Sequence, residues 1–260
     1  LSNITTTMEA RLLSSIDGST ISVSNTTGNN NTAYGQSSLR YNTTGNNNVA
    51  VGFYALYSNN TGYYNTGLGS SALYNNTTGY QNVAVGYQAL YNNTTGTSNF
   101  AVGLFALNNN TIVGNNTAFG VRSLYCNTTG NYNIAVGQGA LQANTTASYN
   151  TAVGFQALVA NTTGYTNTAI GELTLKTNTT GGSNTSVGYE SLKGNTTGSN
   201  NTVLGYQAAY TNTGANNTVV GFKSGYSNTT GTNNSFFGGS ADGSSGYNNT
   251  TGSRNSFIGV

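Results

Sequence analysis

The chain has 260 residues, only 5% of them charged, with seven Lys/Arg against five Asp/Glu and a formal net charge of +2. Soluble domains carry roughly 25% charged residues, and nucleic-acid binders need a basic patch or stripe; this composition excludes a phosphate-tracking protein. His, Pro and Trp are absent and Cys126 is the one cysteine, which excludes a Ser-His-Asp triad, an imidazole zinc cluster and an intrachain disulfide framework.

In chain order, residues 1–24 come first and read as an entry strand, cap or linker. Met8-Glu9-Ala10-Arg11-Leu12-Leu13 can form a short helix, and Ile21 and Val23 alternate like a strand. Residues 25–260 read as one repeat domain of about 14 rungs, irregular at 239–252. Its marker is a glycine closing an Ala-Val-Gly-like triplet, at Gly35, Gly52, Gly69, Gly86, Gly103, Gly120, Gly137, Gly154, Gly171, Gly188 and Gly205, in steps of 17. Gly221, Gly238 and Gly259 follow at steps of 16, 17 and 21. The chain stops at Val260 inside a repeat, without a signal peptide or transmembrane run, so it reads as part of a longer polypeptide.

Helix is a poor reading of a short unit rich in Asn, Thr and Gly. Asn82-Val83-Ala84-Val85-Gly86 alternates, with the valines on one face and Ala84 and Gly86 on the other. The unit reads as strand, bend at the glycine, second short strand and an Asn-Thr-Thr-Gly turn. One unit cannot bury its apolar residues alone, so copies stack. The expected fold is all-β: a parallel β-solenoid, flattened into a two-sheet roll, with 17-residue rungs. Its core ladder is read as Val51, Val85, Val102, Val136 and Val153 with Leu56, Leu73, Leu90, Leu107, Leu124, Leu141 and Leu158. Its turn ladder is Asn42, Gly45, Asn161, Gly164, Asn195 and Gly198. A small-residue stripe of Ala84, Gly86, Ala101, Gly103, Ala135 and Gly137 either admits another chain's backbone or faces water or the opposite sheet.

The pentads Asn82–Gly86 and Asn167-Thr168-Ala169-Ile170-Gly171 resemble the Asn-Ser-Val-Ala-Ile-Gly-type repeats of YadA-like trimeric autotransporter adhesin heads. Longer Asn/Thr-rich units of this kind also occur in phage tail-fibre and virus fibre proteins. The resemblance covers about residues 30 to 260, through a short degenerate motif. It implies a left-handed roll, a homotrimer and a head that binds host surfaces. The adhesin repeat is shorter, and the Asn-Thr-Thr-Gly loop is extra here.

Little chemistry is available. Glu172 and Glu190, one repeat plus one apart, read either as an acid/base pair or as surface charges paired with Lys176 and Lys193. The Asn-x-Thr tripeptides at Asn25, Asn42, Asn127 and Asn228 read as turn residues or as glycosylation acceptors. Cys126 begins a turn, as an exposed free thiol or a small buried residue. Tyr57, Tyr74, Tyr87, Tyr91, Tyr125, Tyr189 and Tyr206 read equally as a sugar-binding surface and as packing between rungs; all but Tyr125 are taken as candidate surface contacts.

The expected function is a structural or adhesive segment of an extracellular, cell-surface or virion fibre, not an enzyme, contacting a host glycan or receptor through a repetitive side face. The alternatives are a structural spacer or end-to-end filament and, more weakly, an ice-binding solenoid. Expected partners are copies of the same chain, with no cofactor, metal, nucleic acid or membrane insertion.

Overall fold

A computed structural model describes residues 28–239 and 245–259. The expected cap at 1–24 lies outside the described residues, as does part of the irregular 239–252 stretch. The chain divides after Asn116 into two compact units.

Each unit is a parallel β-solenoid built from three-residue strands. The first holds β1 (Thr32–Tyr34), β2 (Val49–Val51), β3 (Thr66–Leu68), β4 (Val83–Val85) and β5 (Phe100–Val102). These pair in sequence order and in register, so that Ala33 faces Ala50 and Ala84 faces Ala101. The second unit holds β6 (Thr117–Phe119), β7 (Ile134–Val136), β8 (Thr151–Val153), β9 (Thr168–Ile170), β10 (Thr185–Val187), β11 (Thr202–Leu204), β12 (Thr218–Val220), β13 (Ser235–Phe237) and β14 (Ser256–Ile258). They pair the same way, consecutively and in parallel.

The motif glycine ends each strand for two reasons. Gly86 has φ 129°, a region that side chains rarely adopt, and a Cβ there would stand 2.6 Å from the carbonyl oxygen of Gly103. The segment after it is not the expected second strand. Gln88 and Leu90 both adopt left-handed φ, 52° and 51°, and this recurs rung after rung. Two left-handed residues spaced by one curl the chain back towards the strand, so a run of turns replaces a β-conformation. Those turns still bond between rungs, as from Leu90 N to Ala106 O at 3.0 Å. Left-handed backbone costs an L-residue about 1–2 kcal/mol, so a lone rung is unfavourable and the stack supplies the compensation.

The strands reverse the expected inside and outside, while the leucines are interior as expected. Ala50, Ala84, Ala101, Ala135 and Ala152, each at the centre of a strand, are fully buried. Within each unit they share the interior with leucines, Leu56, Leu73, Leu90 and Leu107 in the first and Leu124, Leu141 and Leu158 in the second, all at 0% exposure. Val51, Val85, Val102, Val136 and Val153 point outward and are half-buried. Space sets this choice: a Cβ on Gly67, the strand-centre residue of β3, would sit 3.3 Å from Leu56 Cγ. The leucine fills the interior up to the strand, so only a small inward residue fits beside it. Ala84, Ala101 and Ala135 are therefore core, not a stripe open to another chain.

Two asparagine ladders line the rest of the interior. Asn48, Asn65, Asn82 and Asn99 precede the strands and accept the next rung's backbone, as in Asn65 N to Asn48 Oδ1 at 3.0 Å. The turn asparagines bond side chain to side chain, as from Asn59 Nδ2 to Asn42 Oδ1 at 2.8 Å. Both sets are fully buried. A satisfied buried hydrogen bond contributes about 1 kcal/mol net, whereas a buried polar group left unpaired costs about 1–3 kcal/mol. The ladders thus specify register more than they add stability.

Candidate interaction surface

Because the central residue of each strand points inward, the two flanking it point out. In the first unit this exposes Tyr34, Val49, Leu68 and Phe100, with Phe53, Tyr87 and Leu104 just past the motif glycines. In the second it exposes Phe119, Ile134, Ile170, Leu204 and Phe237, with Phe155, Tyr206 and Phe222 beside them. None of the outward strand residues carries a charge. Isolated exposed apolar residues are ordinary, but a contiguous apolar face marks an interaction surface.

Charge is absent from the strands themselves, but the exposed Glu172 takes the position just past a motif glycine that Phe155 and Phe222 take in other rungs. Of the described charged residues, Arg40, Arg122, Glu172, Lys176, Glu190, Lys193 and Lys223 all lie within five positions after a motif glycine, leaving only Arg254 outside. Several of the cations rest on rings, such as Lys193 Nζ, 5.1 Å from the Tyr210 centroid. Of the two carboxylates Glu172 and Glu190, the second has a lysine partner. Glu190 is held by Lys193 Nζ at 2.6 Å and Gln207 Nε2 at 2.8 Å. Burial pushes the Glu190 carboxyl up, but these two hydrogen bonds and the Lys193 charge outweigh it and leave it below its ordinary value. The Glu190 hydrogen bond in turn raises Lys193, with Tyr210 adding to it.

The tyrosines divide into two sets. Tyr57, Tyr74 and Tyr91 are half-buried and stack on one another, with centroids 4.9 and 5.1 Å apart and interplanar angles of 11°. Tyr189 and Tyr206 stack at 5.3 Å, and Tyr206 stacks on Phe222. Tyr87 meets Phe105 edge to face at 5.4 Å. Rings stacked along the axis cover one another's faces and present edges to solvent. The stacked rings pack between rungs, while Tyr87, Tyr189 and Tyr206 are also exposed at the surface.

The turn ladder is interior. Asn42, Asn161 and Asn195 are fully buried, and each Nδ2 donates to the glycine carbonyl closing its own turn, Gly45, Gly164 or Gly198, at 2.8–3.0 Å. The tripeptide asparagines Asn127 and Asn228 are buried in the same way, so none of these folded turns offers its amide to a glycan; Asn25 lies outside the described residues. Cys126 is half-buried, and burial pushes its thiol above the ordinary value. Among the described residues no three or more His, Cys, Asp or Glu side chains gather, and no helix is long and apolar enough to cross a membrane.

The exposed apolar face was hidden in the sequence because its valines were assigned to the interior. The sign that could have found it is the small residue at the strand centre from Ala33 to Ser186, beside a leucine four positions after the motif glycine in those rungs. No family model, curated protein or solved structure matches the chain.

Proposed function

We propose that this chain is a structural segment of an extracellular or virion fibre, in which the uncharged strand face packs against further copies of the same chain. The observation that carries the reading is that face: free of charge, with an apolar residue closing each strand beside a column made mostly of Thr and Ser, and repeated once per rung. Its side chains recur at the strand spacing of about 4.8 Å. A partner meets all of them in register only if it has the same period, and another copy of this chain has it. The resemblance to adhesin heads makes the expected assembly a left-handed homotrimer. The charged, tyrosine-lined flank and the polar turns stay outside and contact the host surface weakly but many times over.

Sedimentation of the native chain and of a Val85→Lys, Val102→Lys, Val136→Lys variant tests the assembly. The three positions point outward, so the variant keeps its β circular dichroism while the native oligomer falls to monomer. A monomeric native chain, or a variant that assembles as well, overturns the proposal. Host attachment measured against the number of whole repeats tests the contact: a gradual loss fits a repetitive face, and full retention with half the repeats fits a pure spacer.

A further inference from the structure

Parallel stacking in register puts a side chain of one rung over its counterpart in the next, about 4.8 Å away. Where the repeated position is tyrosine, the rings form a column. The first unit has one at Tyr57, Tyr74 and Tyr91, each five residues past its motif glycine. Their centroids are 4.9 and 5.1 Å apart, with interplanar angles of 11°. The second unit has another at Tyr210, Tyr226 and Tyr247, with centroids 5.0 and 5.3 Å apart and angles of 7° and 12°. All six are half-buried.

The phenol ends lie together as well as the rings. Burial pushes the Tyr74 phenol above its ordinary value, and the charge of a Tyr91 phenolate pushes it further. Tyr226 is raised in the same way, by burial and then by Tyr210 and Tyr247. Packing does not need these hydroxyls, since phenylalanine stacks as well, as Phe222 does on Tyr206 at 5.3 Å. Among the described residues the hydroxyls of Tyr74, Tyr91, Tyr226 and Tyr247 have no hydrogen-bond partner.

We propose that these two columns are sites of oxidative cross-linking, in which a carbon–carbon bond between neighbouring tyrosines staples consecutive rungs. A one-electron oxidant takes one electron from each of two stacked rings while each hydroxyl gives up its proton. The unpaired electron of each phenoxyl radical resides partly on the ring carbons beside the oxygen. Two such carbons on facing rings join, and the hydrogen each carried shifts to its own oxygen, which restores both aromatic rings and both hydroxyls. The pair has lost two electrons and two protons. Hydrogen peroxide takes these up, together with the charge balance, as a haem peroxidase reduces it to two waters. The near-parallel stack supplies the encounter that separate radicals would have to reach by diffusion. The bond joins residues 17 apart in the first column, and 16 or 21 apart in the second. It constrains the unfolded chain as a disulfide does, which a single cysteine cannot do within one chain. Each column lies inside one unit, so the cross-links form whether or not the chain assembles into a fibre.

The test treats an equimolar mixture of 14N- and 15N-labelled full chains with a haem peroxidase and hydrogen peroxide, then maps peptic peptides by mass spectrometry. The expected products join the Tyr74 peptide to that of Tyr57 or Tyr91, and the Tyr226 peptide to that of Tyr210 or Tyr247. Each is lighter than its two parts by two hydrogens, and each is wholly light or wholly heavy because the bond lies within one chain. Tyr165 is the internal control: it is 60% exposed and so more open to the oxidant, but no ring stacks on it among the described residues. Tyr74→Phe keeps the ring stack and removes the hydroxyl; it abolishes the products of the first column and leaves those of the second, and Tyr226→Phe does the reverse. Oxidation raises the thermal midpoint of the native chain by roughly 5–10 °C and leaves that of the Tyr74→Phe, Tyr226→Phe variant unchanged. Absence of cross-linked peptides, chiefly mixed-isotope products, linkage through Tyr165 at least as abundant as through Tyr74 and Tyr226, or an unchanged native midpoint overturns the proposal.

Discussion

Within the second unit, the rungs from Ile134 to Leu192 and those from Thr202 to Phe257 solve the same packing problem with different residues. In the first stretch a small strand-centre residue, Ala135, Ala152, Ala169 or Ser186, faces Leu141, Leu158, Leu175 or Leu192. In the second the roles shift. Val203 accompanies Ala209, Val219 accompanies Gly225, and Phe236 spreads over Gly225 and Gly246, where an added Cβ would stand 2.6 and 2.4 Å from its ring. What the two stretches share is a filled interior, reached with different residues at each position. The turns show the opposite: one residue lost before Gly214 removes a whole set of inter-rung bonds, because hydrogen bonds have direction and volume does not.

The comparison breaks most severely through charge. Ala152→Asp puts an unpaired carboxylate in the core and is expected to cost more than about 4 kcal/mol, whereas Val153→Asp, one residue on and outward, costs under about 1 kcal/mol in the monomer. Thermal midpoints of the two variants check this, and equal effects would mean that inside and outside are confused. Next comes Gly225→Leu, which installs the leucine that the regular rungs use. It is expected to destabilise by about 3 kcal/mol through overpacking against Phe236 and left-handed strain. Adding Phe236→Ala and Val219→Ala should recover much of the loss, measured by denaturant midpoint.

Smaller effects sharpen the picture. Gln156 has φ 51°, and Gly139 already occupies the equivalent left-handed position in the preceding rung. Gln156→Gly should therefore raise stability by about 1 kcal/mol; a lower midpoint would count against the strain account. Smallest is the Glu190–Lys193 pair. The folded Glu190 value is depressed, so its contribution is present above the ordinary carboxylate value and fades as pH falls through the folded one. The loss should be under about 1 kcal/mol at this partly exposed site, and Glu190→Gln should remove that part of the acid dependence.

The 17-residue period, the parallel stack, the leucine ladder and the glycine that ends each strand can all be read from residue identities, because each leaves a fixed residue type at a fixed interval. Which strand face is inside cannot. Val-Ala-Val alternation supports either answer, and hydrophobicity favours the wrong one. The tertiary structure decided it through space, since the left-handed turn brings leucine up against the strand and leaves room only for a small residue such as alanine. Left-handed leucine is equally invisible to local propensity, which disfavours it; neighbouring rungs enforce it. The 16-residue step is plain in the sequence. That it leaves the amides of Thr196 and Thr197 and the oxygen of Asn195 without partners among the described residues depends on where the next turn falls in three dimensions.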